Sequence, residues 1–426
     1  MNAHIPRYIS LLATSAIAAA SLVACGGGGD DSSTATPTTL GTVGVAVMTD
    51  APSCAYDAIN VTVSKVRFHK DFSAAADASG WAEVTFSPAK KINLLNLASV
   101  LSGATTDLGD VSLPVGIYTQ MRLVLDGNTS GTANTYKVTG GTTELPLETA
   151  VSLTNGFKMP VDLKIEDGKK ASLVFDFDAC NSIQNRGTVR VLKPRARALA
   201  ATTGNIGGFI DKAILTSKVV VTAQQNGAIF ATTIPNPTTG EFVLPRLPVG
   251  NFDVVATGNG RVAAVVGTVP VAAAATTAVS TATSTITMAT SNAGVLSGRV
   301  IYTAPAVAPD DGTWIMAQQT VTANTSTTPG NPAVIVTYRF QPVDLATGAY
   351  TTDQLPVGAL SFAPYKATLP LVFTAAASTP GTGKFLVNAV ATGFSNKLTT
   401  TTPVTVTGNA TGTGANAIAD IALANP

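Results

Sequence analysis

Histidine is almost missing from this chain: of 426 residues only His4 and His69 are histidine. A metal site built on several imidazoles is thereby excluded, and any Ser-His or Cys-His dyad would depend on His69. His69 ends a strand-like segment beside Lys70 and Asp71, which places it at the surface. Cysteine is scarce too, with Cys25, Cys54 and Cys180 alone, and tryptophan is limited to Trp81 and Trp314. Charged residues make up 12%, about half the usual share. No phosphate-binding loop, no G-x-S-x-G nucleophile elbow, no EF-hand spacing and no other metal motif occurs, so no cofactor is expected. No enzymatic activity is expected of such a chain.

What replaces the missing charge is Thr, Ala, Gly and Val, with 38 glycines and 24 prolines. Strands favour Val and Thr, and tight turns need Gly and Pro, so the composition points to β-rich modules. The length allows two to four domains. Arg7 is the only Lys, Arg, Asp or Glu in the first 24 residues, so their removal leaves 25 basic and 25 acidic residues. A neutral chain gives no electrostatic case for nucleic acid as a partner. Lys193, Arg195 and Arg197 lie close together, and they read as a solvated strand end leading into a linker.

The N-terminus reads as an address. Arg7 precedes an apolar run from Ile9 to Ala20, and small residues lead to Cys25. That is the layout of a secretory signal, and the run is marginal for a bilayer span of about 20 residues. Leu22-Val23-Ala24-Cys25 resembles the lipobox of bacterial lipoproteins. The resemblance implies cleavage before Cys25, a diacylglycerol thioether on its sulfur, and membrane attachment through several acyl chains. Gly26 rather than Asp follows Cys25, which in such proteins implies sorting to the outer membrane. Residues 1–24 are therefore the expected signal peptide and 25–40 a Gly/Ser/Thr/Pro tether with too little apolar surface to fold. With Cys25 lipidated, Cys54 and Cys180 remain as an even pair in an oxidising compartment, which reads as one disulfide.

Period-two alternation dominates the next 160 residues. Val43, Val45 and Val47 share a face; Ile59, Val61 and Val63 alternate until the phase slips to Val66 and Phe68, as a β-bulge would make it. Trp81 to Phe86 reads as a short strand, and a short helix is expected within 92–101. Met121, Leu123 and Leu125 point inward against Gln120 and Arg122 outward. Phe157 to Ile165 and Leu173, Phe175 and Phe177 repeat the pattern. So many alternating segments argue for an all-β fold of tandem antiparallel β-sandwiches.

Within residues 41–198, Thr49-Asp50-Ala51-Pro52, Tyr56-Asp57, Val61 to Val66, Leu113 to Tyr118, Gln120 to Leu123 and Phe175 to Cys180 resemble the bacterial lipoprotein family known as domain of unknown function 4382. The resemblance implies an exported β-sandwich and no chemistry. Two further modules repeat one another. Gly204 to Ile210 parallels Gly294 to Val300, Val221-Thr222-Ala223 parallels Val321-Thr322-Ala323, and Thr239 to Gly250 parallels Thr347 to Gly358. Their Leu-Pro-Val-Gly turns resemble the carboxypeptidase regulatory-like module, a transthyretin-like β-sandwich also likened to starch-binding folds. Phe252 follows Gly250 at the family's aromatic position, whereas Leu360 replaces the aromatic in the last copy. The expected modules are 203–275 and 294–426, with the Ala/Thr/Ser/Val stretch 276–293 as a linker.

Acidic pairs are the remaining candidates for ligand or calcium binding: Asp50 with Asp57, Asp176 with Asp178, and Asp310 with Asp311. Asp176 and Asp178 fall on one strand face, about 7 Å apart. The same pair could serve as glycosidase carboxylates, which nothing else in the sequence supports. Trp81 and Trp314 are either core residues or platforms for a sugar ring. The expectation is a non-catalytic adhesion or ligand-binding lipoprotein, attached to the membrane by its lipid, with a polysaccharide or an envelope protein as ligand. A carbohydrate-binding protein and an envelope spacer are the alternatives.

Overall fold

Alternating sequence becomes strand almost everywhere in the computed structural model, which describes residues 39–49, 55–97, 106–200, 203–302, 312–321, 333–391 and 402–423. The chain is all-β. Among the described residues helix is confined to 3-10 turns such as Leu94–Leu97 and one α-turn at Val151–Thr154. None is long and apolar enough to cross a membrane. Cys25 with its leader, Asp50, Cys54, and Asp310 with Asp311 lie outside the described residues, as does the rest of the helix expected within 92–101. The described residues from Thr39 onward form one compact unit.

In the first module the order Ala196–Ala200, Lys170–Phe177, Leu40–Thr49, Thr106–Pro114 makes one sheet. A second sheet centres on Tyr56–His69, flanked by Thr135–Val138 and Gly116–Leu125, with Phe157–Ile165 outermost on that side. Val43, Val45 and Phe175 of the first sheet meet Val61, Met121 and Met159 of the second in one core. Each of these six is at most 1% exposed, so the alternating pattern reports the inner faces of both sheets.

Two expectations change here. The sheets are mixed rather than purely antiparallel, because Leu40–Thr49 runs parallel to Lys170–Phe177. Parallel partners need a long crossover; this one spans the rest of the module, which local periodicity cannot register. The strand expected at Trp81 to Phe86 is longer, Ala82–Asn93. Its register against Tyr56–His69 jumps from Thr85 opposite Lys65 to Lys90 opposite Val63. The slip seen at Val63 to Val66 is thus a bulge, and Pro88, which has no N–H to give a ladder, sits in the looped-out stretch.

The second module lays Glu241–Pro248, Thr203–Phe209 and Thr276–Ala278 over a sheet containing Ala228–Thr233, Val220–Gln225, Gly250–Thr257 and Ala264–Val271. The third lays Ala349–Pro356 and Ala293–Tyr302 over Val334–Pro342, Thr313–Val321 and Lys384–Ala391. The sequence repeat is a structural one. Register shifts fall between Gly204 and Ile206 in one copy and between Gly294 and Leu296 in the other. Opposite them Arg246 and Gln354 take the same positive φ, 53° and 55°. Asn236 and Asp344 cap equivalent turns, their side-chain oxygens accepting from Thr238 and Thr239 and from Ala346 and Thr347. The Leu-Pro-Val-Gly turns of the first two modules also agree, Gly116 and Gly250 both having φ of 151°.

The stretch 276–293 is not a linker. Thr276–Ala278 pairs with Thr203–Phe209, Ile286 bridges to Ile210, and Val279, Ile286 and Met288 fill the second module's core. Small residues made this stretch look featureless, yet they let it lie flat against the sheet. The second and third modules are also fused. Ser361–Pro364 of the third adds a parallel strand to Ala264–Val271 of the second. Val255 and Val265, on the other face of the second module's sheet, belong to the third module's core.

Candidate functional site

The three modules meet along a seam, and the seam holds the best candidate for a site. One cavity of about 540 Å³ lies between Phe157 and Lys158 of the first module, Phe230 of the second and Trp314 of the third. A second, of about 550 Å³, adjoins it, with Asp178, Ile229 and Thr232 lining both.

Asp176 and Asp178 both line the first cavity, and Asp178 lines the second as well. Asp176 lies opposite Arg197 in the antiparallel pairing of Lys170–Phe177 with Ala196–Ala200. The Arg197 Nε donates to Asp176 Oδ2 at 2.8 Å, and its Nη2 lies 2.7 Å from the same oxygen. Asp176 is 5% exposed and its Oδ1 has no hydrogen-bond partner. Burial pushes this carboxyl above its ordinary value, with Asp178 adding to the rise while Arg197 and Arg246 oppose it. Asp178 has a different job: its carboxylate accepts from the Asn181 N–H and side-chain amide and lies 3.7 Å from Arg195 Nε. The two carboxylates are therefore each committed to an arginine rather than to each other.

Lys193, Arg195 and Arg197 are corrected by the same geometry. Lys193 is 6% exposed. The Arg195 guanidinium lies 4.1 Å from the Phe340 ring centre and 5.1 Å from that of Trp314, and Arg197 lies 5.3 Å from Phe230. Stacking on rings and pairing with carboxylates draws the two arginines inward. The Asp-x-Asp and Arg-x-Arg spacings on two strands carried the signal for this pairing.

Trp314, 5% exposed, closes one wall. It stacks nearly parallel on Phe340, at 12°, and its Nε1 donates to the Asn181 carbonyl of the first module at 2.8 Å. Two buried glutamines fasten the seam beside it. Gln184 Nε2 donates to the Thr313 carbonyl at 2.9 Å and its Oε1 accepts from the Thr313 N–H at 3.3 Å. Gln224 Nε2 donates to the Thr337 carbonyl at 2.9 Å, and its Oε1 accepts from the Thr337 N–H at 2.8 Å. Each amide imitates a strand partner for the third module. Leu345 N–H to the Asn185 carbonyl, 2.7 Å, adds a backbone bond across the same joint.

Elsewhere the sequence candidates are structural. Asp57 is exposed and accepts from the Gly140 N–H at 3.1 Å. Among the described residues no group of three or more His, Cys, Asp or Glu could hold a metal ion. His69 ends its strand half-buried against Trp81. Its Nδ1 accepts from the Asp71 N–H, so Nε2 carries the proton and donates to the Ser79 carbonyl at 3.0 Å. Both ring nitrogens are occupied in a turn. Trp81 lies between Arg67 and Arg122, whose guanidinium carbons are 4.4 and 5.3 Å from its ring centre, and its Nε1 donates to the Ala75 carbonyl. Phe72, Lys158 and Phe230, which line the cleft, carry no sequence signature.

Residues 40–194 match the model of a family described as a domain of unknown function, DUF4382. No curated protein matches the chain. Among solved structures it is similar to a type II cohesin-X-dockerin complex of Acetivibrio cellulolyticus, at 19% identity over 21% of this chain and 59% of that one, with a TM-score of 0.18. It is similar to the Bacillus anthracis TIE protein, at 9% identity over 88% of this chain and 53% of that one, TM-score 0.16. It is also similar to the Corynebacterium diphtheriae major pilin SpaA, at 12% identity over 90% of this chain and all of that one, TM-score 0.19. The chain thus spans little more than half the length of the first two.

Proposed function

We propose that this is a non-catalytic, lipid-anchored protein of a bacterial envelope, held to the outer membrane through Cys25, that binds its ligand in the seam between three β-sandwich modules. The observation that carries the binding role is the seam itself: a cleft with aromatic walls and cationic side chains, held open by modules locked to one another through Gln184, Gln224 and Trp314. The anchoring role rests on Leu22-Val23-Ala24-Cys25 and the glycine-led tether behind it. In this reading the second and third modules are regulatory-like domains that have lost their independence. Cys54 and Cys180, the pair left once Cys25 carries lipid, form one disulfide in this reading; it closes a loop of more than 100 residues, worth up to about 5 kcal/mol on a chain-entropy model.

Fractionation of cells producing the full chain and its Cys25→Ser form tests the anchor. The wild type should sediment with the outer membrane and incorporate labelled palmitate; the variant should do neither. Equal membrane recovery of both would sink the lipid anchor. Because the second and third modules share a core and meet the first through buried amides, ligand tests need the whole mature chain rather than residues 200–426 alone.

A further inference from the structure

The charge lining the seam is unbalanced, although the chain as a whole is close to neutral. The cavity around Phe230 carries Lys158, Arg195 and Arg197 against Asp176 and Asp178. The adjoining one adds Lys218 and Arg339 against Asp353. Five cations thus face three carboxylates. Two of the carboxylates are already taken by Arg195 and Arg197. Among the described residues, Lys158, Lys218 and Arg339 make no ion pair. Arg339 instead donates to the backbone carbonyls of Asp353, Tyr338 and Gln354, and burial pulls its guanidinium below its ordinary value while the Asp353 carboxylate opposes the fall. Lys158 and Lys218 are exposed, where their ammonium groups can pair with an incoming anion at little desolvation cost.

The aromatic side chains fix what kind of anion. Phe72 is 45% exposed, and the Lys158 ammonium lies 4.1 Å from its ring centre. Phe230 supplies a second ring further in, backed by Arg197. A half-exposed ring with an ammonium over one face suits a ligand with a flat apolar face and an anionic group at its edge. A pyranose with a carboxylate has that shape: its axial C–H bonds lie on an aromatic face while its carboxylate reaches the ammonium. Two adjoining cavities that share Asp178, Ile229 and Thr232 suit several such units in a chain.

We propose that the seam binds an anionic polysaccharide, with sugar faces on Phe72 and Phe230 and acidic groups met by Lys158 at one end and by Lys218 and Arg339 at the other. This rests on the ligand-binding reading above and narrows it to one chemistry. No bond is made or broken.

The test is a titration of the mature chain with four soluble polymers: polygalacturonate, dextran sulfate, neutral dextran and poly-glutamate. Polygalacturonate should bind, and its affinity should fall as salt rises from about 0.05 M to about 0.5 M. Dextran sulfate binding as well would assign the site to acidic sugars in general; its failure would confine the site to carboxylates. Phe72→Ala and Lys158→Gln should each weaken polygalacturonate binding about tenfold. Both residues are exposed, so the fold should survive, which thermal melts check. Lys164→Gln, on the same strand but outside the cleft, should bind as the wild type does. Neutral dextran binding as tightly would remove the charge recognition, and poly-glutamate binding as tightly would remove the ring recognition. Either result overturns the proposal yet leaves a ligand-binding seam in place. Binding of polygalacturonate unaffected by both cleft variants, or no binding of either acidic sugar polymer, overturns it as well.

Discussion

The side-chain amide of Gln224 forms two hydrogen bonds to a single residue of the neighbouring module, Thr337, donating to its carbonyl and accepting from its N–H. Gln224 is fully buried, so neither group of Thr337 can turn to water instead. Thr337 is held from two further sides, its hydroxyl donating to the Gly227 carbonyl and accepting from the Gln318 amide. Gln184 does for Thr313 what Gln224 does for Thr337. The third module is therefore gripped twice, once from each neighbour.

Gln224→Leu keeps the volume and removes both bonds. It leaves a donor and an acceptor buried without partners, at about 1–3 kcal/mol each. Urea unfolding should report a loss of about 2–5 kcal/mol. A change within error would mean that the amide only fills space.

Gly240 and Gly348 test the repeat. They have φ of 75° and 70°, and a Cβ on either would lie 2.1 or 2.2 Å from a carbonyl oxygen, that of Ile210 or Val300. In both copies the N–H of that same residue donates to the glycine carbonyl at 2.8 Å. Alanine at either position should destabilise by comparable amounts, more than about 1 kcal/mol. A large effect at one and none at the other would show that the two turns are not equivalent.

Asp176 gives a pH signature. Burial raises its carboxyl in the folded chain, and Arg197 offsets only part of the rise. As pH climbs through the ordinary carboxylate range, an unfolded Asp176 loses its proton before the folded one does. Its contribution to stability is thus fully present in acid and is lost as pH rises to the folded value. Relative to Asp176→Asn, the wild type should lose stability over that window and run level above it. Denaturant titrations at a series of pH values measure the difference, and a slope of opposite sign would mean that Arg197 outweighs burial.

Much of this architecture could be read from alternation and spacing. Val43, Val45 and Val47 faced the core as expected, and the slip at Val63 to Val66 was a real bulge. The match of Thr239 to Gly250 with Thr347 to Gly358 became two turns with the same caps. What periodicity missed was whatever one segment does to another from far away. Gln120 is on the polar phase of its strand, yet it is fully buried, because the loop at 71–74 folds over it and takes its amide protons. Gln184 and Gln224 look like ordinary surface residues until a second module covers them. The cleft was half legible: Asp176 and Asp178 stood out as a pair, while the arginines that hold them looked like a solvated strand end. Phe72, Lys158 and Phe230 converge only through the packing of modules.

The chain's two tryptophans allow the central claim, that three modules form one body with a fixed cleft between them, to be tested in one measurement. In Trp81→Phe the remaining indole, Trp314, lies in the seam with its Nε1 donating across it to Asn181. Its fluorescence follows the joint, while circular dichroism follows strand content throughout the chain. On denaturant titration the two signals should change together, with one midpoint, as for a single cooperative unit. A fluorescence change completed at lower denaturant than the loss of strand would mean that the modules part before they unfold, and that the cleft is not a fixed feature of the protein.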